Sequence, residues 1–194
     1  MKHRFVLLIS LVGLLTCGVA ATAGAAAASE HRAASHAKQF CVAIAEPAGS
    51  TATPHATCYA TFAGSIFAAT SGRVRLPASA KPGSVTPDQI NASGAVPATT
   101  YVLSLDYANA NFVPPVLTWE QTSKCGSFQA SSMPSGWNDV ISSVITESGC
   151  ATTLYENINF GGSTFSVGRN SSAATLGTFN DKASSEKWCT AKPC

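Results

Sequence analysis

Charge is scarce in this chain. Only 11% of its 194 residues are Asp, Glu, Lys or Arg, and the formal net charge is +2. From residue 100 onward seven acids face five bases, so there is no basic stripe and a nucleic-acid partner is not expected. Histidine is scarcer still: the four are His3, His31, His36 and His55. A His-based triad or a His-Glu-x-x-His zinc site is therefore excluded from the C-terminal half. No Gly-x-Ser-x-Gly, P-loop or dinucleotide fingerprint occurs, and the sparse carboxylates single out no pair for glycoside hydrolysis. These absences argue against an enzyme. Close Cys-x-x-Cys or Cys/His spacings are missing too, which removes the usual zinc frameworks.

The one long apolar run is N-terminal. Lys2, His3 and Arg4 precede Phe5–Leu15, and small residues up to Ala28 follow, so residues 1–28 read as a secretory signal. The run is short for a membrane span, and no later segment could cross a bilayer, so no membrane association is expected after cleavage. The expected location is extracellular. Of the seven cysteines, Cys17 falls in the signal and six remain. An even number in an exported chain reads as three disulfides, with fifteen possible pairings. Nearest-neighbour pairing is the simplest: Cys41–Cys58, Cys125–Cys150 and Cys189–Cys194.

What the chain does contain is a repeat. Tyr107-Ala-Asn-Ala-Asn-Phe112 and Tyr155-Glu-Asn-Ile-Asn-Phe160 share one frame, and each is followed by a hexapeptide, Asn138-Asp-Val-Ile-Ser-Ser143 and Asn180-Asp-Lys-Ala-Ser-Ser185. Short β-branched and aromatic runs, Tyr101–Leu105, Val116–Trp119, Ser143–Thr146, Thr153–Tyr155 and Thr164–Val167, alternate with Gly, Asn, Pro and Ser clusters. That pattern predicts a mainly β sandwich.

Tyr-Glu-x-x-x-Phe-x-Gly followed by Asn-Asp-x-x-Ser-Ser resembles the Greek-key repeat of the microbial βγ-crystallins. The resemblance implies a double Greek-key domain over residues 100–194, with repeat one at 100–146 and repeat two at 150–189. Repeat one departs from the pattern, with Ala108 where Glu156 stands and Pro114 where Gly162 stands. Proline cannot copy a glycine turn, so the first hairpin must be built differently.

The same resemblance implies calcium as the bound ion, in one or two reciprocal sites of modest affinity. One would use Ala108, Val140 and Ser184, and the other Glu156, Lys182 and Ser142. Asn138, Asp139, Asn180 and Asp181 would support the loops. Two roles fit the family: a secreted calcium-binding module with a structural or binding role, or an inhibitor of an extracellular metallopeptidase. From Tyr107 to Asn138 is 31 positions, six more than the 25 from Tyr155 to Asn180. The extra residues fall in Ser123–Gly136, and Ser123, Lys124, Cys125 and Gly126 are the candidate inhibitory contact. A monomer is expected.

Before the repeat, residues 29–76 read as a small disulfide-linked segment or pro-region. Tyr59, Phe62, Ala63, Ile66, Phe67 and Thr70 recur at helical spacing, predicting a helix over about 57–71 with Thr57 as N-cap and Gly72 as stop. Residues 77–99, rich in Pro and Gly, read as a linker.

Overall fold

The computed structural model describes residues 40–86, 89–90 and 100–194. The signal reading of residues 1–28, and residues 87–88 and 91–99 of the expected linker, lie outside the described residues. Among the described residues, eleven strands form two sheets. Repeat one supplies β4 (Tyr101–Asn109), β5 (Val113–Gln121), β6 (Phe128–Ala130) and β7 (Ser143–Thr146). Repeat two supplies β8 (Ala151–Asn157), β9 (Gly161–Val167), β10 (Ser172–Ala173) and β11 (Ser185–Cys189). In each repeat the third strand crosses to the opposite sheet: β6 pairs with β11, and β10 pairs with β7. The crossing makes each sheet depend on both repeats, which is the double Greek-key arrangement expected of the sandwich.

The first hairpin of each repeat turns the same way. Asn111 and Phe112 have φ of 59° and 60°, and Asn159 and Phe160 have 56° and 64°. The left-handed backbone is held by a serine hydroxyl from the end of the hexapeptide. Ser143 Oγ accepts from Phe112 N at 3.1 Å and donates to Asn109 O at 2.6 Å. Ser185 Oγ accepts from Phe160 N at 3.0 Å and donates to Asn157 O at 2.6 Å. The aromatic pair then packs edge to face, with centroids 5.6 Å apart in both Tyr107–Phe112 and Tyr155–Phe160. Beyond this corner the hairpins diverge. Gly162 sits at φ 79°, where an added Cβ would lie 2.8 Å from Asn157 Nδ2. In repeat one a cis Pro114–Pro115 bond occupies this stretch, and Pro114 O accepts from Asn109 Nδ2 at 2.7 Å.

The described part of the segment before the repeat packs into the sandwich. β1 (Phe40–Ile44) runs parallel to β5, from Phe40 opposite Val116 to Ile44 opposite Glu120. β2 (Glu46–Pro47) then joins the other sheet beside β6. A single stretch of chain thus closes one open side of the sandwich. Its pleat matches both layers: Cys41 and Ala43 enter the core between the sheets, and Val42 enters a second apolar layer on the outer face of the first sheet.

The expected helix is shorter than its periodicity. Residues Ala56–Tyr59 form β3, antiparallel to β1, and the disulfide Cys41–Cys58 ties the pair. Thr57 is therefore a strand residue. The helix, α1, is Phe62–Ala69, capped by Thr61 Oγ1 accepting from Gly64 N at 3.0 Å. The helix gives way at its C-cap Thr70 to a turn that closes at Gly72, whose φ of 79° lets its N–H bond Phe67 O at 2.7 Å. Phe62, Ile66 and Ala69 of α1 pack with Val102, Tyr107 and Val116 of β4 and β5. The outer face of the first sheet is thus a second core.

Between the sheets lie Leu103, Leu117, Trp119, Ile141, Leu154 and Trp188, all buried. The two tryptophan rings pack tilted against each other at 57°, with centroids 4.9 Å apart. Beside them are two carboxyl groups with no solvent exposure, Asp106 on β4 and Glu186 on β11. Disulfide Cys125–Cys150 ties the β5–β6 loop to the connection between the repeats, and Cys189–Cys194 closes the tail.

Candidate metal centre at the hexapeptides

Both hexapeptides lie side by side at one end of the sandwich, related by the internal pseudo-twofold. Asp139 and Asp181, the second residue of each, take the left-handed conformation with φ of 54° and 56°. Their N–H groups bond across the repeats, Asp139 N to Ala183 O and Asp181 N to Ile141 O, both at 3.0 Å. The side chains repeat the exchange. Ser184 Oγ donates to Asp139 Oδ1 at 3.2 Å, and Ser142 Oγ donates to Asp181 Oδ1 at 3.0 Å. Each serine therefore sits against the other repeat's loop. The two serines are nearly buried, at 5% and 6% exposure, so their positions are fixed by the core behind them.

The backbone decides which hairpin residue joins which serine. Ser142 N donates to Tyr107 O, and Ser184 N donates to Tyr155 O, both at 2.8 Å. The Tyr107–Ala108 peptide thus abuts Ser142, and the Tyr155–Glu156 peptide abuts Ser184. This corrects the expected grouping. The expected sets put Ala108 with Ser184 and Glu156 with Ser142, whereas these bonds put Ala108 beside Ser142 and Glu156 beside Ser184. The physical reason is that a hairpin strand and its own repeat's hexapeptide are joined through the sheet, whereas the loops meet across the pseudo-twofold.

An open depression lined by Asp139, Glu156, Asn157, Asp181, Lys182 and Ser184 marks this end of the molecule. Glu156 is half-buried there. Its carboxyl is held below the ordinary range by hydrogen bonding with Ser163, whose N–H donates to Oε2 at 3.2 Å, and by the charge of Lys182. Asn138 Nδ2 donates to Asp139 Oδ2 at 2.6 Å, and Asn180 Oδ1 accepts from Leu176 N at 2.9 Å, so both leading asparagines brace their loops. The lining supplies carboxylate, hydroxyl and amide oxygens, together with the Lys182 ammonium. That donor set fits a hard cation with oxygen ligands and offers nothing to a thiophilic one. Among the described residues no group of three or more His, Cys, Asp or Glu is placed to hold a metal. Any ion here would thus draw mainly on carbonyls and hydroxyls.

Sequence reasoning gave Asp139 and Asp181 a supporting part only. They are the direct partners of the two serines, and their place as second residue of each hexapeptide was the available signal. The buried pair Asp106 and Glu186 was missed entirely, because neither belongs to a repeat motif.

The stretch 123–136 is not an exposed insertion. Phe128–Ala130 is β6, and Met133 and Trp137 are buried. β6, the counterpart of β10 in repeat two, carries β2 on its other edge. What remains exposed of the candidate inhibitory contact is Ser123 and Lys124, with Cys125 and Gly126 half-buried behind them.

No family model matches the chain, and no curated protein matches it. Solved structures do. A βγ-crystallin domain from Clostridium beijerinckii, in a double-mutant form, is 26% identical over 46% of this chain and 98% of its own length, with TM-score 0.36. A βγ-crystallin domain from Flavobacterium johnsoniae is 25% identical over 47% of this chain and 98% of its own, with TM-score 0.34. An archaeal βγ-crystallin is 22% identical over 44% of this chain and 95% of its own, also with TM-score 0.34.

Proposed function

We propose that this chain is an exported, non-catalytic βγ-crystallin-type module that binds calcium through its paired hexapeptides and acts in a structural or binding role outside the cell. One observation carries the reading: the serine of each repeat is bonded to the aspartate of the other, at 3.0 and 3.2 Å. A cation set between those loops would hold both repeats at once. It would have no comparable site in the unfolded chain, so its binding energy would add to stability. Extracellular calcium modules work at dissociation constants of about 10⁻⁴–10⁻³ M. At about 10 mM calcium this corresponds to ~1–3 kcal/mol, or roughly 3–10 °C in melting temperature. Export is supported by the N-terminal signal pattern and by the three disulfides.

The test is thermal unfolding of the mature chain with calcium and with excess chelator, beside a calcium titration of Ser184→Arg. The substitution removes a hydroxyl and puts a cation into the set made by Glu156, Ser184 and Val140. Loss of one bound ion, with the Ala108, Ser142 and Lys182 set retained, is the expected result. Identical melting curves with calcium and chelator would defeat the proposal.

A further inference from the structure

The pseudo-twofold that relates the repeats is broken at their edges. β5 and β9 are equivalent strands: Val116 stands opposite Tyr107 as Thr164 stands opposite Tyr155. β5 carries β1 on its outer edge, over Val116–Glu120. β9 ends its sheet, and among the described residues no strand pairs with its outer edge. A free edge of backbone N–H and C=O groups is a template for a further strand, and proteins ordinarily block it with charge, proline, irregularity or brevity.

The other sheet ends are blocked by brevity or by a covalent tie. β10 and β2 have two residues each, and β3 has four with Cys58 bonded to Cys41. β9 has seven residues, Gly161–Val167, with no charge and no proline. Its register shift lies beside Tyr155–Asn157, at the Gly161 end. β5 has the same shift at Tyr107–Asn109 and still accepts β1, so the irregularity does not prevent pairing.

We infer that the β9 edge is a self-association surface, at which a second copy of this chain pairs antiparallel to β9 about a twofold axis near Phe165. The sequence of the edge is complementary to itself in that register. Thr164 stands opposite the partner's Ser166 on the outer face, placing hydroxyl beside hydroxyl. Phe165 stands opposite the partner's Phe165 on the inner face, where it already packs against Phe179 at 6.1 Å. Like aromatic and hydroxyl pairs stabilise antiparallel ladders, and no like charges meet. Ser163 and Thr164 are exposed and Phe165 and Ser166 half-buried, so a partner strand has both backbone access and apolar surface to cover. The inference is independent of calcium, and it replaces the expectation of a monomer.

The experiment is sedimentation equilibrium of the mature chain in excess chelator, from roughly 1 µM to 1 mM, with hydrogen exchange at both ends of that range. A dimer should form within the range, with amides 163–167 gaining protection as it forms. Thr164→Lys places two ammonium groups at the shared edge and should raise the dissociation constant by about tenfold or more, with the monomer's melting temperature unchanged. A chain that stays monomeric throughout overturns the inference. So does a dimer that leaves exchange at 163–167 unaltered. If the lysine variant does not fold, the dilution series of the unaltered chain decides the matter by itself.

Discussion

Raising the pH should loosen this sandwich, and the cause is the carboxyl pair in its core. Asp106 and Glu186 face each other between the sheets, both without solvent exposure. Trp119 Nε1 donates to Asp106 Oδ2 at 2.8 Å, and Thr152 Oγ1 donates to Glu186 Oε1. Ser104, which accepts from Trp188 Nε1 at 3.0 Å, lies against both carboxyls. The two remaining oxygens, Asp106 Oδ1 and Glu186 Oε2, have no donor but the proton the acids can share. The groups acting on the pair are each other, Trp119, Thr152 and Ser104, and none is a cation.

Burial pushes Asp106 up from 3.8 to about 6. Burial, and then the charge of Asp106, push Glu186 well above the ordinary carboxylate range. Below about pH 4 both acids are protonated whether the chain is folded or not, and the stability they allow is fully present. As the pH climbs through 6, the folded chain must surrender a proton that the unfolded chain has already released, and stability falls. For Asp106 alone the shift amounts to ~3 kcal/mol at neutral pH, or roughly 6–12 °C for a domain of this size. Glu120, raised by burial to about 7, acts in the same direction.

The assay is a series of melting curves in chelator between pH 5 and 8, which keeps any bound metal out of the comparison. Glu186→Gln mimics the half-protonated pair permanently, because its amide can donate to Asp106 Oδ1. That variant should melt with little pH dependence across the range and exceed the parent chain at pH 8. A parent melting temperature that is flat or rising from pH 5 to 8, or a Gln variant with the parent's slope, would refute the reasoning.

Replacing Cys125 and Cys150 together by Ser opens a loop of 25 residues. It should cost ~3 kcal/mol in the chain-entropy treatment, read as a fall in denaturation midpoint, with a steeper slope because the unfolded chain is less constrained. Removing residues 1–99 strips β1, β2, β3 and α1 and bares Val102, Tyr107 and Val116, which are fully buried in the intact chain. At about 1.5–3 kcal/mol for each such side chain, the remaining 100–194 fragment should bind a hydrophobic dye and aggregate rather than melt cooperatively. A soluble fragment with a sharp transition would show that the N-terminal layer is dispensable.

Much of the repeat domain was legible because its signals are local. The aromatic corner and the hexapeptide each occur twice, and a left-handed turn braced by a serine needs those residue types at that spacing. The strands read from sequence, such as Ser143–Thr146 and Thr164–Val167, are β-branched runs whose pattern already fits a half-buried sheet. Adjacent cysteines in the chain also proved adjacent in space, because each spans a hairpin, a loop or a tail that the fold doubles back on itself.

The rest was decided by tertiary contact. Ala56–Tyr59 carries helical spacing, yet it becomes β3 because β1 offers a ladder and Cys41 a covalent tie. Phe128–Ala130 is a strand only because β11 and β2 flank it. Ser185–Cys189, with Glu and Lys at its centre, is a strand only because β8 and β6 complete it and Asp106 takes up the buried acid. The pairing of Glu156 with Ser184 rather than Ser142 likewise has no trace in spacing. Local sequence fixes which turns and hydroxyls exist. Which of them meet depends on how the two Greek keys interlock, and no window of sequence contains that information.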